Sequence, residues 1–195
     1  MIIGTPILAI KTMAIYIALL RGINVSGRHP IRMAELQSSF SALGYTDVQT
    51  YLQSGNVVFR CGTSDELKLA ITIQNRIKQD LGHVVPVLVL TASNFAAIAD
   101  ANPLWPQTGG DEKQYHCTFL FEPASNEKYV TFKLPAVEGE RAVLLGNTIF
   151  LYCPHGYGKT RLNNNYFERT LGVAATTRNW GTVLALKELS NTENV

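Results

Sequence analysis

The alternation of apolar runs and turn residues in the first half of the chain constrains its fold more than any other sequence feature. The run from Ala14 to Leu20 is rich in Ile and predicts a strand. A polar loop at residues 21–30 follows, and Gly44 marks the end of the helix that comes next. That helix is predicted by apolar residues at helical spacing, namely Met33, Leu36, Phe40 and Leu43.

Two short strands and a second helix continue this pattern. The strands, at residues 48–52 and 56–61, are joined by the tight polar turn Gln53-Ser54-Gly55. Residues 63–66 have the spacing of a capping box. The apolar stripe behind this box consists of Leu67, Ala70, Ile71, Ile77 and Leu81. With a fourth strand at residues 84–90, the order is β-α-β-β-α-β, which is that of the ferredoxin-like split βαβ fold.

The second half repeats this order loosely, without sequence self-similarity. Its predicted elements are a helix at 92–100, a loop at 103–110, a strand at 115–121, a helix at 125–132, a hairpin of strands 141–145 and 148–152, a helix at 160–171, an extended stretch at 174–177 and a helix at 180–189.

We therefore predict an α+β chain of two ferredoxin-like halves with mainly antiparallel sheets, the second half being followed by C-terminal helices. The expected division is a peripheral leader at residues 1–12, an N-terminal half at 13–91 and a C-terminal half at 92–195.

Composition argues against several classes of protein. Hydrophobic residues make up 46% of the chain and charged residues 16%, which is not the composition of a disordered protein. The net charge of +2 lacks the clustered basic excess of a strong non-specific nucleic-acid binder. Because no apolar run is long enough to span a bilayer, we expect a cytoplasmic protein with no membrane partner.

Cysteine and histidine usage indicates a reducing compartment and gives no metal motif. Cys61, Cys117 and Cys153 are odd in number and lie in or at the end of predicted strands, so we expect three reduced, buried thiols. The chain has no Cys-x-x-Cys and no His-x-x-x-His spacing, which argues against a local zinc site. It also lacks a dinucleotide-binding glycine motif and a serine nucleophile elbow, and we expect no cofactor.

Four sequence motifs in a fixed order carry a family resemblance. They are Leu19–Val25, Gln53–Phe59, Phe167–Gly172 and Thr176–Trp180. Together they bracket residues 13–190, nearly the whole chain, and they resemble the domain of unknown function 1697 family. The resemblance implies a mainly bacterial, cytosolic protein with no established activity. It supports the architecture and points at loops, but it implies no catalytic residue.

The first candidate site lies where the topology brings two of these motifs together. In a right-handed β-α-β-β-α-β fold, the end of the first strand and the turn between the next two lie at the same edge of the sheet. The polar side chains expected there are Arg21, Asn24, Gln53, Ser54 and Asn56. Such a set suits an anion or a polar heterocycle. The alternative is that the amides and the hydroxyl make turn hydrogen bonds and that the arginine pairs with a carboxylate.

A second candidate lies at the predicted start of the helix at 160–171. Free backbone amides with Lys159 and Arg161 beside them favour an anion. A nucleotide-triphosphate loop does not fit, because Cys153 stands where its first glycine belongs. The alternative is that Thr160 is an ordinary N-cap and that the two cations are solvated.

A third candidate precedes the last helix. Arg178 would face a ligand there, with Asn179 beside it and Thr176 or Thr177 as hydroxyl donors. The alternative is that Asn179 caps the helix and that Trp180 is half-buried packing.

These candidates support three hypotheses about function. The leading one is a site for a small anionic or phosphorylated ligand; since no nucleophile–base pair is evident, whether the chain is an enzyme stays open. The second is single-stranded RNA binding through a ferredoxin-like sheet, with Tyr16 and Phe59 as stacking faces, although the charge is nearly neutral. The third is a structural or homo-oligomeric role in which the marked loops only stabilise turns and contacts.

Overall fold

The structure is a computed structural model that describes residues 12–25, 29–62, 64–106, 111–132 and 138–191. Residues 1–11 of the expected leader and Thr63 of the expected capping box lie outside this part of the chain. Within it, none of the helices has the length and apolar character needed to cross a membrane.

The first of two four-stranded sheets has two helices between its strands and is followed by a third helix, at residues 92–100, which the expected division assigned to the C-terminal half. Its elements are β1 (Met13–Leu20), α1 (Met33–Ser41), β2 (Thr46–Tyr51), β3 (Asn56–Gly62), α2 (Glu66–Leu81), β4 (Val87–Thr91) and α3 (Ala92–Asp100). The strands lie in the order β2-β3-β1-β4, and each is antiparallel to its neighbours.

The second half has the same element order and the same strand arrangement. Its elements are β5 (Tyr115–Leu120), α4 (Asn126–Thr131), β6 (Arg141–Leu145), β7 (Thr148–Tyr152), α5 (Asn164–Leu171), β8 (Ala175–Asn179) and α6 (Trp180–Leu189), with short 3-10 helices at Glu112–Gln114 and Tyr157–Lys159. The strands lie in the order β6-β7-β5-β8, again antiparallel throughout.

The predicted α+β class with mainly antiparallel sheets is therefore confirmed. The ferredoxin-like assignment of each half and the division at residue 92 stay predictions. The predicted stripe of α2 was wrong at Leu67 and Ile71, which are exposed, whereas Leu69 and Ile73 are buried. This helix begins at Glu66, with Asp65 as its N-cap, two residues after the expected cap.

Several element boundaries were also wrong. The strand predicted at 48–52 is Thr46–Tyr51, and the extended stretch predicted at 174–177 is the strand Ala175–Asn179. The fourth strand begins at Val87 rather than at residue 84, because Pro86 has no N–H to donate to a ladder. The helix predicted from Thr160 begins at Asn164, with Asn163 as its N-cap.

Thr160 does not cap a helix because its side chain is engaged elsewhere. Its hydroxyl donates to the carboxylate of Glu140 at 2.6 Å and accepts a hydrogen bond from the N–H of Leu162. The sequence pattern around Thr160 cannot reveal a partner twenty positions earlier in the chain.

Three hydrophobic clusters fill the spaces on either side of the two sheets. Residues 16, 18 and 20 of β1 face α1 and α2, whereas residues 15, 17 and 19 face a central cluster shared with β5, α3 and α6. A third cluster lies between the far face of the second sheet and α5. Both faces of β1 are therefore covered, which explains why its sequence is an uninterrupted apolar run.

The aromatic residues proposed as RNA-stacking faces belong to this core. Tyr16 is 1% exposed and Phe59 is 0% exposed, and their rings stack on each other in the first cluster. The prediction that they offer stacking surfaces was wrong, because α1 and α2 cover that face of the sheet. The three cysteines are buried thiols, as predicted.

Gly55 is the glycine on which the turn between β2 and β3 depends. Its φ is +76°, and a Cβ at this position would lie 2.7 Å from the Cβ of Leu20 and 2.8 Å from Cδ1 of Ile23. The turn therefore packs directly against the end of β1, and its backbone accepts a hydrogen bond from the N–H of Leu20.

We expect Gly55→Ala to destabilise the protein by about 1–3 kcal/mol more than Gly44→Ala. Both glycines have a positive φ and share the conformational cost of about 1 kcal/mol, but a Cβ at Gly44 meets nothing within 4 Å. Urea unfolding of both variants measures the difference. Equal losses would show that the turn does not pack against β1 as described.

Candidate functional site

Arg178 in β8 is a buried guanidinium that joins the two halves of the chain. The residue is 6% exposed. Its Nε donates to Oδ1 of Asn56 at 2.5 Å, and its Nη2 donates to the carbonyl of Leu20 at 2.7 Å. Both acceptors belong to the first half, at the adjoining ends of β3 and β1. A single side chain of the second half therefore holds the adjoining ends of the two central strands of the first sheet.

The remaining donors of this guanidinium also meet neutral oxygen atoms. Nη1 donates to the hydroxyl of Thr176 at 2.7 Å and to the carbonyl of Thr177 at 3.0 Å. Nη2 makes longer contacts with the carbonyls of Ser54 at 3.3 Å and Gly55 at 3.4 Å. The N–H groups are thus satisfied without a carboxylate.

The charge of Arg178 has no ionic partner within the described residues. Burial lowers the pKa of its guanidinium from 12.5 to about 10, so the group stays protonated at neutral pH. A positive charge in surroundings of low dielectric acts over a longer distance than the same charge in water. The space beside Arg178 is therefore electropositive.

Asn56 holds the acceptor that Arg178 requires. The residue is fully buried, and its Nδ2 donates to the carbonyl of Tyr51 at 2.9 Å and to Oγ of Ser54 at 3.0 Å. These two bonds orient the amide so that its oxygen points to the guanidinium. Asn56 thus positions Arg178.

A second inter-half contact pairs Arg21 with Glu168. Nη2 of Arg21 lies 2.6 Å from Oε2 of Glu168, with the two side chains 29% and 23% exposed. Nε of Arg21 donates to the carbonyl of Ala175, and Oε1 of Glu168 accepts from the N–H of the same residue. Arg21 therefore pairs with a carboxylate, which the sequence analysis gave as the alternative to a ligand contact.

Asn24 organises the loop between β1 and α1. Its Nδ2 donates to the carbonyls of Ile31 and Gln53, and its Oδ1 accepts from the N–H of Ile31. Asn24 has a φ of +53°, a conformation that asparagine tolerates better than most residues. Gln53 is exposed, and its backbone carbonyl accepts one of these hydrogen bonds from Asn24.

Two adjoining clefts open beside Arg178 between the halves. The larger encloses about 640 Å³ and is lined by Arg21 and His29 of the first half and by the start of α5 at Asn164 and Asn165. The smaller encloses about 260 Å³. Both are lined by Ser54, Tyr157, Thr177 and Arg178.

The predicted site residues divide into three groups. Those that line a cleft are Arg21, Ser54, Arg178 and Asn179. Those that line neither cleft but make hydrogen bonds next to them are Asn24, Gln53 and Asn56. The exposed Lys159 and Arg161 line neither cleft and precede α5 instead of starting it.

Asn179 and Trp180 have the structural roles that the sequence analysis gave as the alternative to a ligand site, namely helix cap and packing. Oδ1 of Asn179 accepts from the N–H of Thr182 and caps α6, as that interpretation holds. Trp180 is 1% exposed, so it is core packing and more deeply buried than expected.

His116 and Tyr157 are cleft residues that sequence reasoning missed. Their rings stack with centroids 4.6 Å apart. His116 is 6% exposed, and its Nδ1 completes no hydrogen bond with the described residues. Burial lowers the pKa of this histidine from 6.5 to about 4, an effect that the Gln114 carbonyl partly offsets. The sequence shows only a histidine within a predicted strand, which does not indicate that the residue lines a cleft.

The four sequence motifs, far apart in the chain, meet at these clefts. Arg21 of the first motif pairs with Glu168 of the third, and Arg178 of the fourth donates to Asn56 of the second and to Leu20 of the first. The motifs thus take part in two neighbouring sets of hydrogen bonds between the halves, one around Arg178 and one around Arg21.

Comparison with known proteins identifies the class to which this α+β chain belongs. The model of one protein family, described as "Protein of unknown function (DUF1697)", matches residues 13–150. The chain belongs to the DUF1697 family, as the four motifs predicted. A search of the curated proteins found no match.

Among the solved structures that match, one has a similar fold over nearly the whole chain. It is a conserved bacterial protein, SP0830 from Streptococcus pneumoniae, with a TM-score of 0.69 and 22% sequence identity. The alignment covers 92% of this chain and 100% of that chain. At this identity the likeness shows the fold alone.

We expect Arg178→Met to lower the free energy of unfolding by at least about 2 kcal/mol, because several buried oxygen atoms lose their donor. Arg161→Met, at an exposed arginine, is the matched control and should stay within about 0.5 kcal/mol of the wild type. Urea unfolding compares the two. A small loss at Arg178 would mean that the guanidinium does not hold the halves together.

We expect stability to fall as the pH is lowered from 6.5 towards 4, because the unfolded chain binds a proton at His116 that the folded chain resists. Above pH 6.5 this contribution is constant, and in full it amounts to about 3 kcal/mol. The difference between wild type and His116→Phe in urea unfolding at each pH isolates it. His155→Phe, at an exposed histidine, is the control; an equal slope in both variants would contradict the assignment.

Proposed function

We propose that the chain binds a small anionic or phosphorylated ligand in the larger cleft, beside Arg178. The observation that carries this proposal is the buried guanidinium, whose hydrogen-bond acceptors are all neutral. A buried charge without a counter-ion is costly, and structures that keep one commonly use it. An anion in the adjoining cleft would supply the missing negative charge.

The start of α5 adds to the positive potential of the cleft. Asn164 and Asn165 form the first turn of this helix and line the larger cleft. The N-terminus of a helix carries a partial positive charge and unpaired N–H groups. This contribution is independent of the guanidinium, and both act on the same space.

Direct contacts with the ligand would come from groups other than Arg178, since its N–H groups are occupied. Oγ of Ser54 accepts from Asn56, which leaves its own O–H able to donate. Nη1 of Arg21 makes no hydrogen bond with the described residues while Nη2 pairs with Glu168. Arg178 supplies the charge, and Ser54 and Arg21 supply the donors.

A purely structural role is the second candidate, and the same guanidinium favours it. Arg178 already bonds to β1, β3 and β8, so it would stabilise the fold without any ligand. The two candidates differ in one respect. If the fold is preserved, a change in the net charge of the cleft should change phosphate binding only under the ligand hypothesis.

Charge substitutions at two supporting residues test the ligand hypothesis. Asn56→Asp gives Arg178 a carboxylate acceptor, although it also loses the Nδ2 donor to Tyr51 and Ser54. It should weaken the binding of inorganic phosphate by about tenfold or more, because the cleft loses its net charge. Glu168→Gln removes the carboxylate that neutralises Arg21 and should strengthen phosphate binding severalfold. Isothermal titration calorimetry at constant ionic strength measures both.

Opposite effects of the two variants separate charge from damage to the fold, since loss of structure weakens binding in both. Glu35→Gln, at an exposed surface pair with Arg32, removes one negative charge away from the clefts and serves as the control for net charge. Absence of phosphate binding by the wild type and by Glu168→Gln would refute the ligand hypothesis. The structural role would then be the account that stands.

A further inference from the structure

The two walls of the larger cleft differ in chemistry. The wall from the second half is polar apart from Tyr157, and it includes Asn164, Thr177 and Arg178. The wall from the first half has polar members such as Ser54, but it also carries every aliphatic residue of the described lining. These residues are Ile23, Val25, Val84 and Pro86. A molecule that fills the cleft therefore meets polar groups on one side and aliphatic side chains on the other.

Two of the aliphatic residues are open to a ligand. Val25 is 57% exposed and Val84 is 69% exposed. They belong to the β1–α1 loop and the α2–β4 loop, which meet where the rings of His29 and His83 pack edge to face with centroids 5.3 Å apart. We call Val25 and Val84 the valine rim of the cleft. A ligand can reach this rim without any change in the fold.

The polar wall includes a backbone donor at a sheet edge. β8 is the edge strand of the second sheet, and the N–H of Phe121 donates to the carbonyl of Ala174. Because inward and outward groups alternate along an antiparallel pair, the N–H and C=O of Thr177 point away from β5. Nη1 of Arg178 donates to this carbonyl, whereas the N–H of Thr177 makes no hydrogen bond with the described residues. An anion beside Arg178 would therefore have a nearby backbone donor.

The size of the cleft calls for an organic molecule rather than a bare ion. Its volume of about 640 Å³ lies within the range of about 300–1,000 Å³ that is typical of small-molecule pockets. An inorganic phosphate beside Arg178 would fill only part of this space and would leave the valine rim in water. The facing walls decide what covers the rim, because the same molecule must carry a negative charge on its other side.

We propose that the ligand of the larger cleft is an organic phosphate with an apolar substituent, whose phosphate group lies beside Arg178 and whose substituent lies against Val25 and Val84. The inference rests on the proposed function, because it places the phosphate at the same guanidinium. The ligand class is that of alkyl or aryl phosphate monoesters. Sugar and polyol phosphates fit less well, because their hydroxyl groups would lose water at the valines without gaining a hydrogen bond.

Titration with matched ligands tests this assignment. The probes are phenyl phosphate, glycerol 3-phosphate, inorganic phosphate and phenol, measured by isothermal titration calorimetry at constant ionic strength. We expect phenyl phosphate to bind about tenfold or more tightly than glycerol 3-phosphate, because only its ring removes the valine rim from water. Its binding should also have the more negative heat-capacity change, which marks the burial of apolar surface.

Substitutions at the valine rim should remove this advantage. Val25→Thr and Val84→Thr each replace one methyl group by a hydroxyl at an exposed position, so the test does not depend on the folding of a core variant. Together they should abolish most of the preference for phenyl phosphate and leave the affinity for inorganic phosphate unchanged. Val130→Thr is the matched control at a valine that is 83% exposed and lines neither cleft, and it should keep the preference.

A charge variant separates the two ends of the ligand. Glu168→Gln removes the carboxylate beside Arg21 and acts on the phosphate group alone. It should therefore strengthen the binding of phenyl phosphate and of glycerol 3-phosphate by the same factor. Unequal factors would mean that the two phosphates lie in different places, and this result would overturn the assignment.

The remaining outcomes distinguish the two proposals. Equal affinities for phenyl phosphate, glycerol 3-phosphate and inorganic phosphate overturn the apolar contact and leave the anion site standing. A preference for phenyl phosphate that survives both valine substitutions also overturns it, because the ring then lies elsewhere. If phenol binds as tightly as phenyl phosphate and depends on the valines, the rim binds an apolar group but the anion site fails, and the organic-phosphate assignment fails with it.

Discussion

The guanidinium of Arg178 sets the relation between the two halves of this chain. It requires acceptors in several directions at once, and these come from the ends of β1 and β3 and from β8 itself. Asn56 is held by the β2–β3 turn so that it can serve as one of them, and Gly55 lets that turn approach β1 closely. The turn, the strand ends and the clefts between the halves therefore depend on satisfying one buried side chain.

The way in which Arg178 is satisfied also sets the charge of the space between the halves. Neutral oxygen atoms satisfy the N–H groups of Arg178 but leave its charge uncompensated, so the fold retains an electropositive space beside a strand edge. The charge of Arg21, by contrast, is neutralised by the carboxylate of Glu168, and both of these side chains are partly exposed. His116 lines the smaller cleft together with Arg178.

Local sequence patterns predicted the elements whose residues interact with near neighbours. The boundaries of α3, of α6 and of the hairpin at Arg141–Tyr152 were predicted to the residue, because capping and turn signals are local. The topology also predicted that Arg21 and the β2–β3 turn would lie together. Thr160 was misassigned because Glu140 engages its hydroxyl, and the role of His116 was missed because cleft walls come from distant segments. Long-range contacts of this kind leave no periodic signal in the sequence.

A double-mutant cycle between Asn56 and Arg178 tests the central claim most directly. The free energies of unfolding of Asn56→Ala, Arg178→Met and the double variant give the coupling between the two side chains. Because their hydrogen bond is buried and one partner is charged, the account predicts a coupling of about 1.5–3 kcal/mol. Additive losses, with a coupling near zero, would contradict the claim that this contact joins the halves.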